Sequence, residues 1–139
     1  MCAAVSLLKR NIGKMEKIGF IFCLFLFSCN NKNTEDYVVK TGSIINIESM
    51  KTISLGATDT IIVTFGGGTN GCASPDHLEV SISENMLSFK AYYKFPTTPR
   101  ICTDNLPVHT LRHVFKPESK GTYVYKSTDT DVFTMTEVY

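Results

Sequence analysis

The feature that most constrains this chain lies between His77 and Phe95. Leu78, Val80 and Ile82 alternate with Glu79, Ser81 and Ser83, and beyond Glu84-Asn85 a second alternating run sets Leu87, Phe89, Ala91 and Tyr93 on one side. Successive side chains of a strand point to opposite faces, so a period of two over adjoining runs buries one set and leaves the other in water. Two polar residues between the runs suffice to reverse the chain. The segment is predicted as a β-hairpin whose register burial fixes, because a slip of one residue would turn every apolar side chain outward.

Similar alternation, rich in β-branched and aromatic residues, continues through the second part of the chain. Strands are predicted at 37–40, 44–48, 51–55, 60–65, 77–83, 86–95, 108–115, 122–127 and 132–138, joined by Gly, Pro, Asn and Asp. No amphipathic helical period lies between them. The expected fold of residues 37–139 is all-β, an antiparallel immunoglobulin-like β-sandwich, with a small closed barrel as the alternative. Both bury alternate residues of every strand, so periodicity does not separate them.

The first part of the chain has a different logic. Residues 18–27 are apolar apart from Gly19, follow Lys9, Arg10, Lys14 and Lys17, and run into Leu26-Phe27-Ser28-Cys29. This stretch is about half the roughly 20 residues that a membrane-spanning helix needs. It has the charged flank and apolar run of a secretory leader. The pattern resembles a bacterial lipoprotein signal. That resemblance implies a signal-peptide helix over 1–28, cleavage before Cys29, and acyl chains on the Cys29 sulfur and its new amino group. Met15-Glu16-Lys17 opens a shorter version of the same signal, and a start at Met1 or at Met15 gives the same mature chain.

Removal of residues 1–28 leaves 111 residues, enough for one domain of common size. It takes four of the 14 basic residues and one of the 13 acidic ones, for a mature charge of −2. No basic footprint remains for nucleic acid. Residues 29–36 are then the lipidated cysteine and a polar tether with little to bury.

In that resemblance, of the five cysteines, Cys2 and Cys23 would leave with the leader and Cys29 would carry lipid. Cys72 and Cys102 are left in the domain. An even pair outside the cytoplasm normally oxidises, so a Cys72–Cys102 disulfide is expected, with two free metal-binding thiols as the competing reading.

Three stretches look familiar together: Leu106-Pro107-Val108, Val114-Phe115-Lys116-Pro117 and Gly121-Thr122-Tyr123. They resemble small single-domain lipoproteins of Bacteroidetes with a β-sandwich, over roughly residues 60–127. Independently of that resemblance, Pro117 and Gly121 bracket a polar connection in which Gly121 can supply a positive φ. Phe115, Tyr123 and Tyr125 fall on inward or half-buried positions.

Specific chemistry is sparse. Gly66-Gly67-Gly68-Thr69-Asn70-Gly71 lacks the Gly-Lys-Ser/Thr ending of a phosphate loop and precedes no helix, so it reads as a flexible loop leading to Cys72. With the disulfide holding it beside residues 96–107, it forms the candidate binding surface, and Gly67, Thr69, Asn70, Thr98 and Arg100 are the residues to watch. His77, His109 and His113 invite a metal hypothesis. However, His109 and His113 lie four apart in one strand, about 13 Å along it, so no metal site is assigned.

No Gly-x-Ser-x-Gly elbow and no convincing carboxylate pair is present, so no catalytic residue and no cofactor is assigned. Asp59-Thr60-Ile61 resembles a Bacteroidetes O-glycosylation acceptor, but reads first as a turn aspartate opening a strand. Residues 127–131 read as a polar turn rather than a calcium loop. The lack of tryptophan disfavours a glycan-binding role, although one of Tyr92 and Tyr93, which point to opposite sides, could offer a stacking face.

The expected function is that of a non-catalytic binding or assembly module in the bacterial envelope. It would be held to the outer membrane by lipid on Cys29, on the periplasmic or the surface side, beside an envelope protein partner. The alternative is a secreted hydrolase or metal-handling protein whose site forms only in the fold.

Overall fold

The computed structural model describes residues 36–139. The leader expected over 1–28, the lipidation expected at Cys29 and the expected tether up to residue 35 lie outside the described residues. Those described hold eight strands and no helix: β1 Tyr37–Glu48, β2 Thr52–Ile53, β3 Asp59–Gly66, β4 Ser74–Ser83, β5 Met86–Pro96, β6 Val108–Phe115, β7 Gly121–Ser127 and β8 Phe133–Val138. The ladder runs β2-β8-β7-β5-β1-β3-β6, with β4 on the other edge of β5. No pairing joins β6 to β2 or β4 among the described residues, so the ladder is not closed into a barrel.

The hairpin forms in the expected register, from Ser83↔Met86 to Leu78↔Ala91. Glu84 in its two-residue turn takes φ 54°, the left-handed value such turns demand. Leu87, Phe89 and Ala91 are fully buried, and Leu78, Val80 and Tyr93 pack against the core. Ile82 departs from the expectation. It is 58 % exposed although its cross-strand partner Leu87 is fully buried, because β4 pairs with β5 alone whereas β5 is flanked here by β7 as well.

The expected all-antiparallel arrangement is corrected to a mixed one. β5 pairs with β7 in parallel, Met86↔Val124 to Phe89↔Ser127, and β2 pairs with β8 in parallel. Alternation reports which face a side chain takes, not strand direction, so it could not reveal this. Parallel neighbours need a long crossover, and between β5 and β7 the chain travels out through β6 and back.

β1 is one strand where two were predicted. Residues 37–42 pair with β5, Tyr37↔Pro96 to Gly42↔Ala91, and residues 43–48 pair with β3, with an irregularity between Ile44 and Asn46. Gly42 marks the change of partner rather than a break. A Cβ there would lie 2.5 Å from Phe65 Cδ2 and 3.0 Å from the Gly66 carbonyl oxygen, so only glycine lets the strands approach this closely. The predicted strand 51–55 shrinks to Thr52–Ile53, and Leu55 N–H donates to the Tyr139 carbonyl (2.9 Å).

Through β1 the ladder turns over on itself. Ile44, Ile47, Ile61, Val63 and Phe65 from β1 and β3 join Leu87, Phe89, Ala91, Tyr123, Tyr125 and Val138 from β5, β7 and β8 in one core. Ring contacts tie β6 across it. Phe115 lies 5.4 Å from Tyr123 and 6.2 Å from Tyr125, and His113 meets Phe89 edge-on at 5.8 Å. Gly121 has φ 127° and Pro117 is fully buried, so both bracket the β6–β7 connection in the structural roles read for them.

Asp59 opens β3 but is not a solvated turn residue. It is fully buried, its Oδ1 accepting from Met50 N–H and its Oδ2 from the Tyr125 hydroxyl, each at 3.3 Å. Burial is the main cause that pushes the Tyr125 phenol up to about 12, so it stays protonated and donates. Thr136, also buried, donates to the Met50 carbonyl (2.6 Å). These bonds tie the segment after β1 to β3, β7 and β8.

Candidate functional site

The glycine-rich loop and the β5–β6 loop lie side by side. Cys72 and Cys102 are disulfide-bonded with their Cα atoms 5.3 Å apart, within the range natural bridges occupy. Gly71 N–H donates to the Thr103 carbonyl (2.9 Å), and Gly67 N–H to that of Pro107 (3.3 Å). His109, at the start of β6, donates Nε2–H to the Gly67 carbonyl (3.1 Å) and packs its ring 5.4 Å from Phe65.

The glycines here follow from close approach. A Cβ on Gly67 would fall 2.4 Å from the Tyr93 ring, and one on Gly71 would overlap the Thr103 hydroxyl. Gly68 combines φ 99° with Ala73 Cβ 2.3 Å from where its own would be. The loop is thus pinned along its length by packing and hydrogen bonds, which corrects its reading as a flexible connection.

Of the five residues assigned to binding, Gly67 and Asn70 are held by hydrogen bonds within the paired loops. Asn70 Oδ1 accepts from Cys72 N–H (3.1 Å) and its carbonyl from Ala73 N–H (3.3 Å), closing a local turn. Thr69, Thr98 and Arg100 are exposed. Two apolar residues of the β5–β6 loop are exposed as well: Ile101 is entirely in solvent and Leu106 is 80 % exposed.

The three histidines have separate surroundings. His109 is buried under the glycine loop, His113 sits against Phe89, and His77 is on the outer face of β4. Among the described residues no group of three His, Cys, Asp or Glu side chains could hold a metal ion. Burial lowers the pKa of His113. The folded chain therefore resists a proton that the unfolded chain accepts near pH 6.5. Stability is full above that pH and declines as pH falls toward the lower native value. Measured by denaturation, the protein is expected to lose stability relative to His113→Gln as pH falls from about 7.5 through about 6.5; parallel pH profiles would contradict this.

Sequence reasoning missed a polar and aromatic row on the outer face of β4 and β5. Tyr92 donates its hydroxyl to Glu79 (2.8 Å), stacks on His77 at 4.5 Å and lies 5.7 Å from the Lys90 ammonium. The hydrogen bond to Glu79 is the leading cause that raises the Tyr92 pKa. His77 in turn contacts Asp76, and Lys94 lies 3.9 Å from Asp76 and 5.4 Å from the Tyr37 ring. The hairpin register carried the signal, since it sets Glu79 opposite Lys90. Tyr92 and Tyr93 do point to opposite sides, and Tyr93 packs against the core. For Tyr92, His77 already occupies a stacking position.

Among the described residues, grooves also lie away from the disulfide loops. One, of about 400 Å³, is lined by Val124, Lys126, Thr128, Asp131 and Phe133 among others; a smaller one, about 190 Å³, lies between Glu79, Lys90 and Asp129. Residues 127–131 form the polar turn expected, with Ser127 Oγ accepting from the N–H groups of Asp129 and Thr130. Thr60 is exposed on β3, opposite Val114. In comparison with protein families, curated proteins and solved structures, nothing matches this chain.

Proposed function

We propose that this chain is a lipid-anchored protein of the bacterial envelope whose folded part is a non-catalytic binding or assembly module. The observation that carries the reading is Leu26-Phe27-Ser28-Cys29 at the end of a short apolar run with a basic flank. The Cys72–Cys102 bridge supports it from a second direction, because disulfides persist in oxidising compartments. In this reading residues 1–28 are removed, Cys29 bears acyl chains, and residues 29–36 link lipid to domain. More than one buried chain is needed for stable anchoring, which a doubly acylated cysteine supplies. Confinement to a surface raises the effective concentration of nearby envelope proteins and compensates for modest affinity.

The finer fold proposed is an immunoglobulin-like sandwich. Its support is the change of partner in the middle of β1 and the packing of β6 over β5 and β7. For binding, the exposed residues Thr69, Thr98 and Arg100 on the braced loops are the candidates. The test of the anchor is Cys29→Ala in cells that process lipoproteins. The wild type is expected in the membrane fraction and the variant is expected to lose membrane association; an exported variant that stays membrane-bound overturns the reading.

A further inference from the structure

The anchor reading fixes where the chain comes from, and the fold fixes where it enters. Asp36, the first described residue, accepts through its carbonyl from both the N–H and the hydroxyl of Thr97, each at 2.9 Å. Tyr37 then pairs with Pro96. The tether therefore joins the domain at the root of the β5–β6 loop. From Cys29 to Asp36 is seven residues, which fully extended span at most about 25 Å.

That same loop carries Ile101, entirely exposed, and Leu106, 80 % exposed, followed by Val108 at 62 %. Large apolar side chains held out in water by a covalent brace point to a surface that covers them. The brace is specific to this loop: Cys102, next to Ile101, is bonded to Cys72, and Thr103 accepts from Gly71 N–H. A loop held in place in this way loses little conformational freedom on contact.

We infer that residues 97–107 rest on the bilayer that holds the anchor, with Ile101 and Leu106 entering the boundary between headgroups and acyl chains. The inference depends on the lipid-anchor reading and deepens it: what Thr98 and Arg100 meet is then lipid headgroups, and Thr69 is left as the candidate for a protein partner. Lipid and loop then form two contacts with one membrane, so the domain has a fixed orientation rather than swinging on its tether. Interfacial binding of this kind scales with the apolar area inserted. The hairpin turn at Glu84-Asn85, at the other end of β4 and β5, faces away from the lipid.

The chain contains no tryptophan, so a single indole reports its own position without background. The full chain carrying Ile101→Trp or Leu106→Trp would be acylated in cells, extracted and reconstituted in phosphatidylcholine vesicles. Ile82→Trp beside the hairpin turn is the control, its native side chain being 58 % exposed. The indole at 101 and that at 106 are expected to emit further to the blue in vesicles than in detergent-free solution, and to be quenched by brominated phosphatidylcholine. The one at 82 is expected to do neither.

Chains that float with vesicles while the indoles at 101 and 106 are quenched no more than that at 82 overturn the inference and leave the anchor standing. Chains that do not float at all overturn the anchor reading, and the inference with it. Shielding at 101 in native membranes but not in lipid vesicles also overturns the inference, in favour of a protein covering the loop.

Discussion

Replacing Cys72 and Cys102 together by alanine is expected to lower the unfolding free energy by about 3–4 kcal/mol, read as an earlier midpoint in urea. The bridge closes a sequence separation of 30 residues, and its removal restores to the unfolded chain the freedom of a loop of that length. The native chain keeps the Gly71–Thr103 and Gly67–Pro107 backbone bonds, so the two loops stay adjacent in those molecules that remain folded. A domain of this size has a total stability of roughly 5–15 kcal/mol, so the loss is a large share. A midpoint unchanged by the double substitution, or by reducing agent, would mean that the loops are held by their backbone bonds and packing alone.

Phe89→Ala is expected to cost about 3–5 kcal/mol in the same measurement. Phe89 is fully buried in β5, the strand that pairs with β4, β1 and β7. Its ring receives the edge of His113, and its carbonyl accepts from Thr128 N–H at 3.0 Å, so the strand is held on both sides while the side chain fills the space between the layers. Removal of the ring leaves a void that strands fixed by ladders on each edge cannot readily close. Ile82→Ala, on the same hairpin but 58 % exposed, is expected to stay within about 0.5 kcal/mol of wild type. Similar costs for the two substitutions would contradict the assignment of the core.

The contrast between these two positions also marks how far the sequence could be read. Alternation identified the β4–β5 hairpin and its inward series because period two is a direct consequence of strand geometry. It could not tell that Ile82, on the edge strand β4, stays exposed beside the buried Leu87, since burial depends on which strands and layers lie alongside. Nothing local joined the strands predicted at 37–40 and 44–48; the Phe65 ring that forbids a side chain at Gly42 between them belongs to β3, more than twenty positions away. The parallel pairing of β5 with β7 was hidden for the same reason, being a property of the path through β6.

The candidate site was legible unevenly. Two cysteines remaining after the leader and Cys29 are set aside point to a bridge, and they form one. The glycine loop was read as flexible, whereas Tyr93, Ala73 and Thr103 each occupy the space a side chain would need. The burial of Asp59 gave no local signal, because its partners Met50 and Tyr125 come from other segments. The outer row of Glu79, Lys90, Tyr92 and His77 was within reach once the hairpin register was set, since cross-strand neighbours are the units of sheet stabilisation.

The most direct measurement of the central claim is the mass of the N-terminal peptide of the protein extracted from membranes of cells that process lipoproteins. The expected peptide begins at Cys29, lacks residues 1–28, and carries the added mass of acyl chains on sulfur and amino nitrogen. An N-terminal peptide that retains residues 18–28, or begins at an unmodified Cys29, contradicts it.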